Sequence, residues 1–463
     1  MKIELKNIGI FKRAEYELGD ITIICGENNT GKTYATYSLY GFFDFWNNVY
    51  SIPVEDLVID SLIEKGTCEI PLETNIDKLN KILKEACKEY SQMLPRVLAS
   101  QEKYFSDSYF EIKVTESDLN FLENYDRTWK SGKSDFIHIT MTSNSKKLSI
   151  SLMIPSVEII NLSLRMNLKN AIASAIKEIL FSKIITNIFI SSAERTGAAF
   201  FKNDLNIDQN ALIKEAVNSY EINITEIVRK IYTSPYALPV RNNINYIRKL
   251  DEVVNTNSFV SKEYPEIIDS FYEIAGGSYR VNREGLYFIP HKSKLRLNIG
   301  EGSSSVRSLL DLNFYLNYSA QKGDILMIDE PELNLHPSNQ RKLAKLFVSL
   351  TKIGIKVFIT THSDYILREF NTLIMMKGKK DKQDIKALMK KYKYSESDLI
   401  DARKFKVYVS QKSLILLDGN KKKTKEQNLV CAPIDEEYGI DVQSFDATIE
   451  EMNKIQEKII FGG

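Results

Sequence analysis

Three features of the sequence predict an α/β fold. The β-branched run Ile21–Ile24 leads into a Gly-rich loop and then an amphipathic helix. Two later apolar runs, DILMID (324–329) and KVFITT (356–361), have the length and composition of buried strands. Helical patterning lies between them, as in open α/β sheets that carry their ligand at the strand ends. A chain of 463 residues accommodates one large domain with insertions, or two to three domains. Hydrophobic residues at 43% and charged residues at 27% exclude a largely disordered chain. With a net charge of +1, any direct nucleic-acid binding would need a local basic patch. The four cysteines lie far apart without C-x-x-C spacing, so neither a zinc site nor a disulfide framework is expected, and Cys25 reads as a buried free thiol. No apolar stretch reaches the roughly 18 residues that span a bilayer. The first residues alternate like a strand rather than a signal peptide. A cytoplasmic protein without membrane contact is expected.

Residues 2 to 24 read as strands (IELKNIGI, AEYEL, ITII) around a basic turn at Lys12 and Arg13, and the following helix carries Tyr37, Tyr40 and Phe43. From about Val54 to Ser106 the pattern is helical, with Leu79, Ile82, Leu83, Ala86 and Tyr90 at three- and four-residue steps. YFEIKVT (109–115), FIHITM (136–141) and KLSISLM (147–153) alternate with period two and read as antiparallel strands. A helix over about 163–182 precedes the buried-type strand NIFISS (187–192). Helical pattern dominates from about 207 to 275, interrupted at SPYALPV, and GGSYRVNREGLYFIP (276–290) reads as a hairpin. A Gly/Ser-rich loop then precedes a helix over 306–320, and a charged tail starts near Lys377. Internal repeats and long heptad runs are absent from the sequence.

Gly26-Glu27-Asn28-Asn29-Thr30-Gly31-Lys32-Thr33 satisfies the G-x-x-x-x-G-K-[ST] phosphate-binding pattern between a strand and a helix, the context that motif needs. The glycines let main-chain N–H groups turn onto phosphate oxygens, and the helix N-terminus adds its positive end. Lys32 reaches the β- and γ-phosphates, and the Thr33 hydroxyl is placed for Mg²⁺. Downstream, the strand Asp324–Asp329 ends in acids. Asp329 is placed to bind the metal directly or through water. Glu330 is placed to polarise the attacking water, and Glu332 either supports a metal ligand or is a solvated turn carboxylate.

On GENNTGKT, ILMIDEPELNLHP (325–337) and VFITTHSD (357–364), the chain resembles the ABC-type ATPases, in the soluble branch with chromosome-maintenance, DNA-repair and OLD-like members. The resemblance implies an ABC-type ATPase head with an antiparallel β subdomain and helical insertions. It implies ATP and Mg²⁺ as cofactors, His362 as the switch histidine near the γ-phosphate, and a partner-contacting role for Asn334, Leu335 and His336. The family signature corresponds to Gly300–Ser308, with Ser303, Ser304 and Ser305 against the nucleotide of another copy; Ser305 stands where a Gly is frequent. As a bare sequence the same stretch is equally a flexible loop.

Further stretches, SSAERTG (191–197), SPYALPVRNNINYIRKL (234–250), SSSVRSLLDL (303–312) and PELNLHPSNQRKLAKL (331–346), resemble the ATPase subunits of PARIS anti-phage defence systems. That resemblance implies an ATP-switched homo-oligomeric scaffold that holds a Toprim-type effector nuclease until a phage-encoded trigger acts. The alternative is a DNA-repair or recombination ATPase that clamps DNA itself. Glu194 and Arg195 read either as residues beside the site or as a structural salt bridge. The expected organisation is an ATPase core over 1–50, a helical insertion over 51–105, core and antiparallel strands over 106–200, and a second helical insertion over 201–275. The second core part then covers 276–376 and a small C-terminal α/β region 377–463. After VFITTHSD no D-x-D pair occurs, so no nuclease is expected in this chain. The basic stretches KGKKDKQDIKALMKKYKY and Lys421–Lys423 are either a solvated face or a polyanion site.

Overall fold

The computed structural model describes all residues except 73, 132–133, 143–146, 155–161, 202–234, 283–284, 380–381, 418, 420, 442 and 462–463. The helical pattern expected over 207–234 lies outside the described residues. The chain divides into two units, one of residues 1–3, 42–91 and 110–187, the other of residues 4–41, 92–109 and 188–463.

The second unit is α/β. Its main sheet has six strands: β1 (Ile21–Cys25), β2 (Ile188–Ser191), β3 (Ile325–Asp329), β4 (Lys356–Thr361), β5 (Phe405–Ile415) and β6 (Thr424–Cys431). Their spatial order is β6-β5-β1-β4-β3-β2, with every neighbouring pair parallel except β5 and β6. All residues of β1 and β3 are buried, which is why both read as unbroken apolar runs rather than alternating ones. Cys25 lies opposite Thr361 and Asp329 opposite Thr360, so the loops after β1, β3 and β4 leave from one edge of the sheet. β5 and β6 come from residues 405–431, which the sequence pattern leaves in a C-terminal region of its own. Instead of standing apart, they extend the main sheet beyond β1.

Two further elements of this unit match and depart from the sequence pattern respectively. Gly277–Asn282 and Gly285–Pro290 form the expected antiparallel hairpin. The helix expected over 306–320 is broken into Ser304–Ser308, Leu310–Phe314 and a wide turn over Tyr315–Ser319. The break follows from a side chain: the Ser308 carbonyl accepts from Arg195 Nε at 2.9 Å.

The first unit packs the helix Ile76–Ser91 through Leu79, Leu83, Ala86 and Tyr90 of the face its periodicity marks, with Cys87 buried beside them and Ile82 only half-buried. Its four-stranded sheet has the order Thr67–Pro71, Lys147–Leu152, Ser134–Met141, Tyr125–Ser131, all antiparallel. The strand Thr67–Pro71 interrupts the region that patterns as helical, because its alternating burial suits a sheet edge. Tyr109–Lys113 is a strand but not a member of this sheet. Phe42, Trp46, Tyr90, Phe110 and Phe181 form an aromatic core, with Phe42 and Phe110 stacked at 5.3 Å and Trp46 edge-on to Phe181 at 4.8 Å. Lys177 lies over the Trp46 ring and donates to the carbonyls of Trp46 and Tyr50, and burial brings its pKa down to about 8. Trp46→Ala is expected to lower stability by about 3–5 kcal/mol in urea unfolding. Tyr104→Ala, at a side chain 64% exposed, is expected to stay within about 0.5 kcal/mol of wild type.

Candidate nucleotide site

The loop after β1 takes up the backbone its glycines permit. Gly26 has φ +139° and Gly31 φ +95°, and a Cβ on Gly26 would lie 2.7 Å from the Ser410 carbonyl oxygen. Asn29 is left-handed at φ +59°. The Thr30 hydroxyl donates to the Glu27 carbonyl at 2.8 Å, and the Ser410 hydroxyl donates to the Thr30 carbonyl at 2.6 Å. Asn28, Asn29 and Thr33 are exposed, and Lys32 opens the helix Lys32–Asn48. The Lys32 ammonium is buried and folds back onto the carbonyls of Gly26 (3.2 Å) and Glu27 (2.7 Å). Burial pulls its pKa down, opposed by Glu330 and Asp329. Beneath the loop, Cys25 is the expected buried thiol; it donates to the Tyr408 carbonyl at 3.5 Å, and burial pushes it up to about 12.

The acids arrive from β3. Asp329 is buried and accepts from the Thr360 hydroxyl on β4. Burial pushes its carboxyl up to about 6, against the lowering effect of that hydroxyl. Glu330 sits in the left-handed region at φ +51°, where a non-glycine residue is strained, and its N–H donates to the Thr360 carbonyl at 3.2 Å. His362 Nε2 lies 3.5 Å from Glu330 Oε1. That hydrogen bond, with the charges of His362, Lys32 and Arg195, holds the Glu330 carboxyl below its usual range despite burial. Glu332 accepts from the Thr361 hydroxyl at 2.9 Å and from the His362 N–H at 2.6 Å. It is therefore a strut that fixes the backbone of His362, not a free turn carboxylate.

Arg195 is the residue whose part sequence reasoning left open. It is buried, and among the described residues it forms no salt bridge. Its guanidinium donates to the carbonyls of Ser192 (2.9 Å), Ser308 (2.9 Å), Asp329 (2.7 Å) and Glu330 (2.7 Å). The sequence signal for it is an arginine shortly after a buried strand. Beside it, Asp311 is fully buried and accepts from Asn243 at 2.8 Å; burial raises its pKa. Glu194 is exposed and accepts from the Tyr37 hydroxyl at 3.4 Å.

Ser303 caps the helix Ser304–Ser308 and its hydroxyl lies 2.7 Å from that of Ser305; Ser303 and Ser304 are exposed. Arg307 braces the turn through the carbonyl of Gly302 and the Ser304 hydroxyl. The stretch is thus a capped turn rather than a flexible loop. Asn334 and His336 are exposed, whereas Leu335 is buried in the core, so its part is packing.

The strand edge thus gathers a glycine loop with a buried lysine, a hydroxyl, a buried Asp and a Glu–His pair. Thr33 and Asp329 supply hard oxygen donors of the type Mg²⁺ takes while keeping its waters, so the residues present fit that ion. Fold and site together define a phosphate-loop nucleotide-binding protein. The chain belongs to the AAA ATPase domain family, which matches residues 1–367, and it carries an ATPase domain. None of the curated proteins matches it. Among solved structures it is similar to an SMC head bound to the C-winged helix domain of ScpA, at 12% identity and a TM-score of 0.32, covering 93% of this chain and 97% of that one. It is also similar to the SMC head domain from Thermotoga maritima, at 10% identity and a TM-score of 0.26, covering 80% and 90%. A third is an Smc head with an extended coiled coil bound to a ScpA domain derived from Pyrococcus furiosus, at 12% and 0.29, covering 98% of each. Among the described residues no helix is long and apolar enough to cross a membrane.

Asp329 carries a prediction with a defined sign. Its folded pKa of about 6 lies above the unfolded value of about 3.9, so the folded protein binds the proton more tightly. Without metal, stability is expected to fall as pH rises from about 4 to 6. Asp329→Asn should then unfold later than wild type at pH 8 in chelator, by on the order of 1–3 kcal/mol, with little difference below about pH 4. Thermal unfolding across pH measures this, and an Asn variant less stable at pH 8 contradicts it.

Proposed function

We propose that this protein is an ABC-type ATPase whose nucleotide sites are completed between copies, acting as an ATP-switched scaffold in an anti-phage defence complex. Lys32 engages the β- and γ-phosphates, Thr33 and Asp329 hold Mg²⁺, Glu330 polarises the attacking water, and His362 orients Glu330 beside the γ-phosphate. Bound Mg²⁺ supplies charge neutralisation at the phosphates. Ser303, Ser304 and Ser305 meet the nucleotide of a second copy. In this reading a separate Toprim-type nuclease performs the effector chemistry, and a phage-encoded protein triggers its release. The observation that carries the ATPase reading is the Glu330–His362 pair at 3.5 Å, set on a strained backbone beside the buried Asp329. The defence role rests on the resemblance of the connecting segments to PARIS ATPase subunits.

Glu330→Gln is expected to keep ATP bound while slowing hydrolysis by roughly 10²–10⁴, the usual worth of a positioned general base. Lys32→Ala is expected to lose most nucleotide binding. Calorimetry and phosphate release read the two effects separately, and normal turnover by Glu330→Gln would remove Glu330 from the catalytic role. Lys32→Ala subunits mixed with Ser304→Arg subunits should regain part of the hydrolysis that each lacks alone. Mixed oligomers without any regain would place the serines outside the second copy's site.

A further inference from the structure

We infer that the far end of the β5–β6 hairpin is a docking face for an acidic protein segment that also carries apolar side chains. The strand β5 pairs with β1 only as far as Val409, opposite Cys25, whereas its pairing with β6 continues to Ile415, opposite Thr424. Beyond Val409 the hairpin therefore runs on past the end of β1. Burial drops along it, from 2% exposure at Ser410 to 66% at Leu414 and 49% at Leu416.

Alternation along a strand puts Ser410, Lys412 and Leu414 on one face, and the register adds Gln427 and Lys425 opposite the last two. Lys421, Lys422 and Lys423 follow at the turn. All five lysines are exposed, and among the described residues none is paired with a carboxylate. Glu426, the acidic residue of β6, lies on the other face, opposite Ser413.

Two exposed leucines beside lysines that pair with no carboxylate among the described residues call for a partner with both acidic and apolar groups. A nucleic-acid backbone would use the lysines but leave Leu414 and Leu416 uncovered, and the stretch 410–427 contains no aromatic residue or arginine for stacking on bases. The lack of Trp, Tyr or Phe in that stretch also disfavours a membrane surface. The hairpin is fixed at its base: the Ser410 hydroxyl donates to the Thr30 carbonyl of the phosphate loop and accepts from Gln427 Nε2 at 3.2 Å. The inference extends the scaffold reading by naming the chemistry of what is held, and it rests on that reading only for the identity of the partner.

The test uses the full chain and three probes: a fluorescent peptide of Glu-Glu-Leu-Leu repeats, an oligothymidylate and vesicles containing phosphatidylserine. The peptide is expected to bind best. Lys412→Glu combined with Lys425→Glu should weaken it at least tenfold, and Leu414→Gln by about tenfold, as loss of a covered leucine implies. Both variants should keep wild-type ATP hydrolysis, which also reports that they fold. Preferred binding of the oligonucleotide or the vesicles, or peptide binding unchanged in Leu414→Gln, overturns the inference. ATP binding measured on the same samples separates the two ideas: its absence defeats the ATPase reading, whereas indifference of the peptide to the hairpin defeats this one.

Discussion

The guanidinium of Arg195 holds together what the site needs. Four main-chain carbonyls converge on it, from the end of β2, from the helix after Ser303, and from Asp329 and Glu330. A buried carbonyl without a donor costs about 1–3 kcal/mol, so this one side chain satisfies groups that no regular ladder could reach. Its planar fork lets the chain turn sharply after β3, where Glu330 adopts a left-handed backbone. It also interrupts the helix at Ser308, leaving Ser304–Ser308 as a short turn tied to the same arginine as the acids. The serine turn and the acids therefore share one anchor within the chain.

Adjacent carboxylates are given opposite surroundings. Asp329 is buried against β4 with one hydroxyl, and its proton is retained to about pH 6. Glu330 faces His362 and Lys32 and stays ionised below the ordinary range. Such divergence lets neighbouring acids serve different tasks, one gaining its full charge on meeting a cation and the other already charged. Glu332, held by the Thr361 hydroxyl and the His362 N–H, fixes the peptide from which His362 projects. Three acids within four residues thus have three different surroundings, set by what lies opposite each on β4 and the residues after it.

Much of this was legible in the sequence because its signals are local. The phosphate loop is one contiguous motif, and β1, β3 and β4 are short apolar runs whose burial on both faces makes them unmistakable. Arg195 could not be read in the same way: its partners are carbonyls, which every residue has, so no spacing marks the contact. β5 was hidden because only its first half pairs with β1; FKVYV looks like core, and SQKSLI, which protrudes, looks like tail. The break at Ser308 was equally invisible, since the apolar periodicity of the segment continues through it. Sequence pattern reports burial, and it is silent where a distant side chain takes over a main-chain bond.

The thiol beneath the phosphate loop has a practical consequence for spectroscopy. Cysteine reagents need both access and the thiolate, and Cys25 offers neither, being buried with its proton held to about pH 12. Cys87 is buried and pushed up to about 12 in the same way. Cys431 is exposed and lies opposite Tyr408, the residue whose carbonyl accepts a hydrogen bond from the Cys25 thiol. With Cys68 replaced, a maleimide dye would enter the chain at Cys431 alone. The fluorophore would then stand at the margin of the sheet, two strands from β1, and report on the loop without any cysteine having been engineered in.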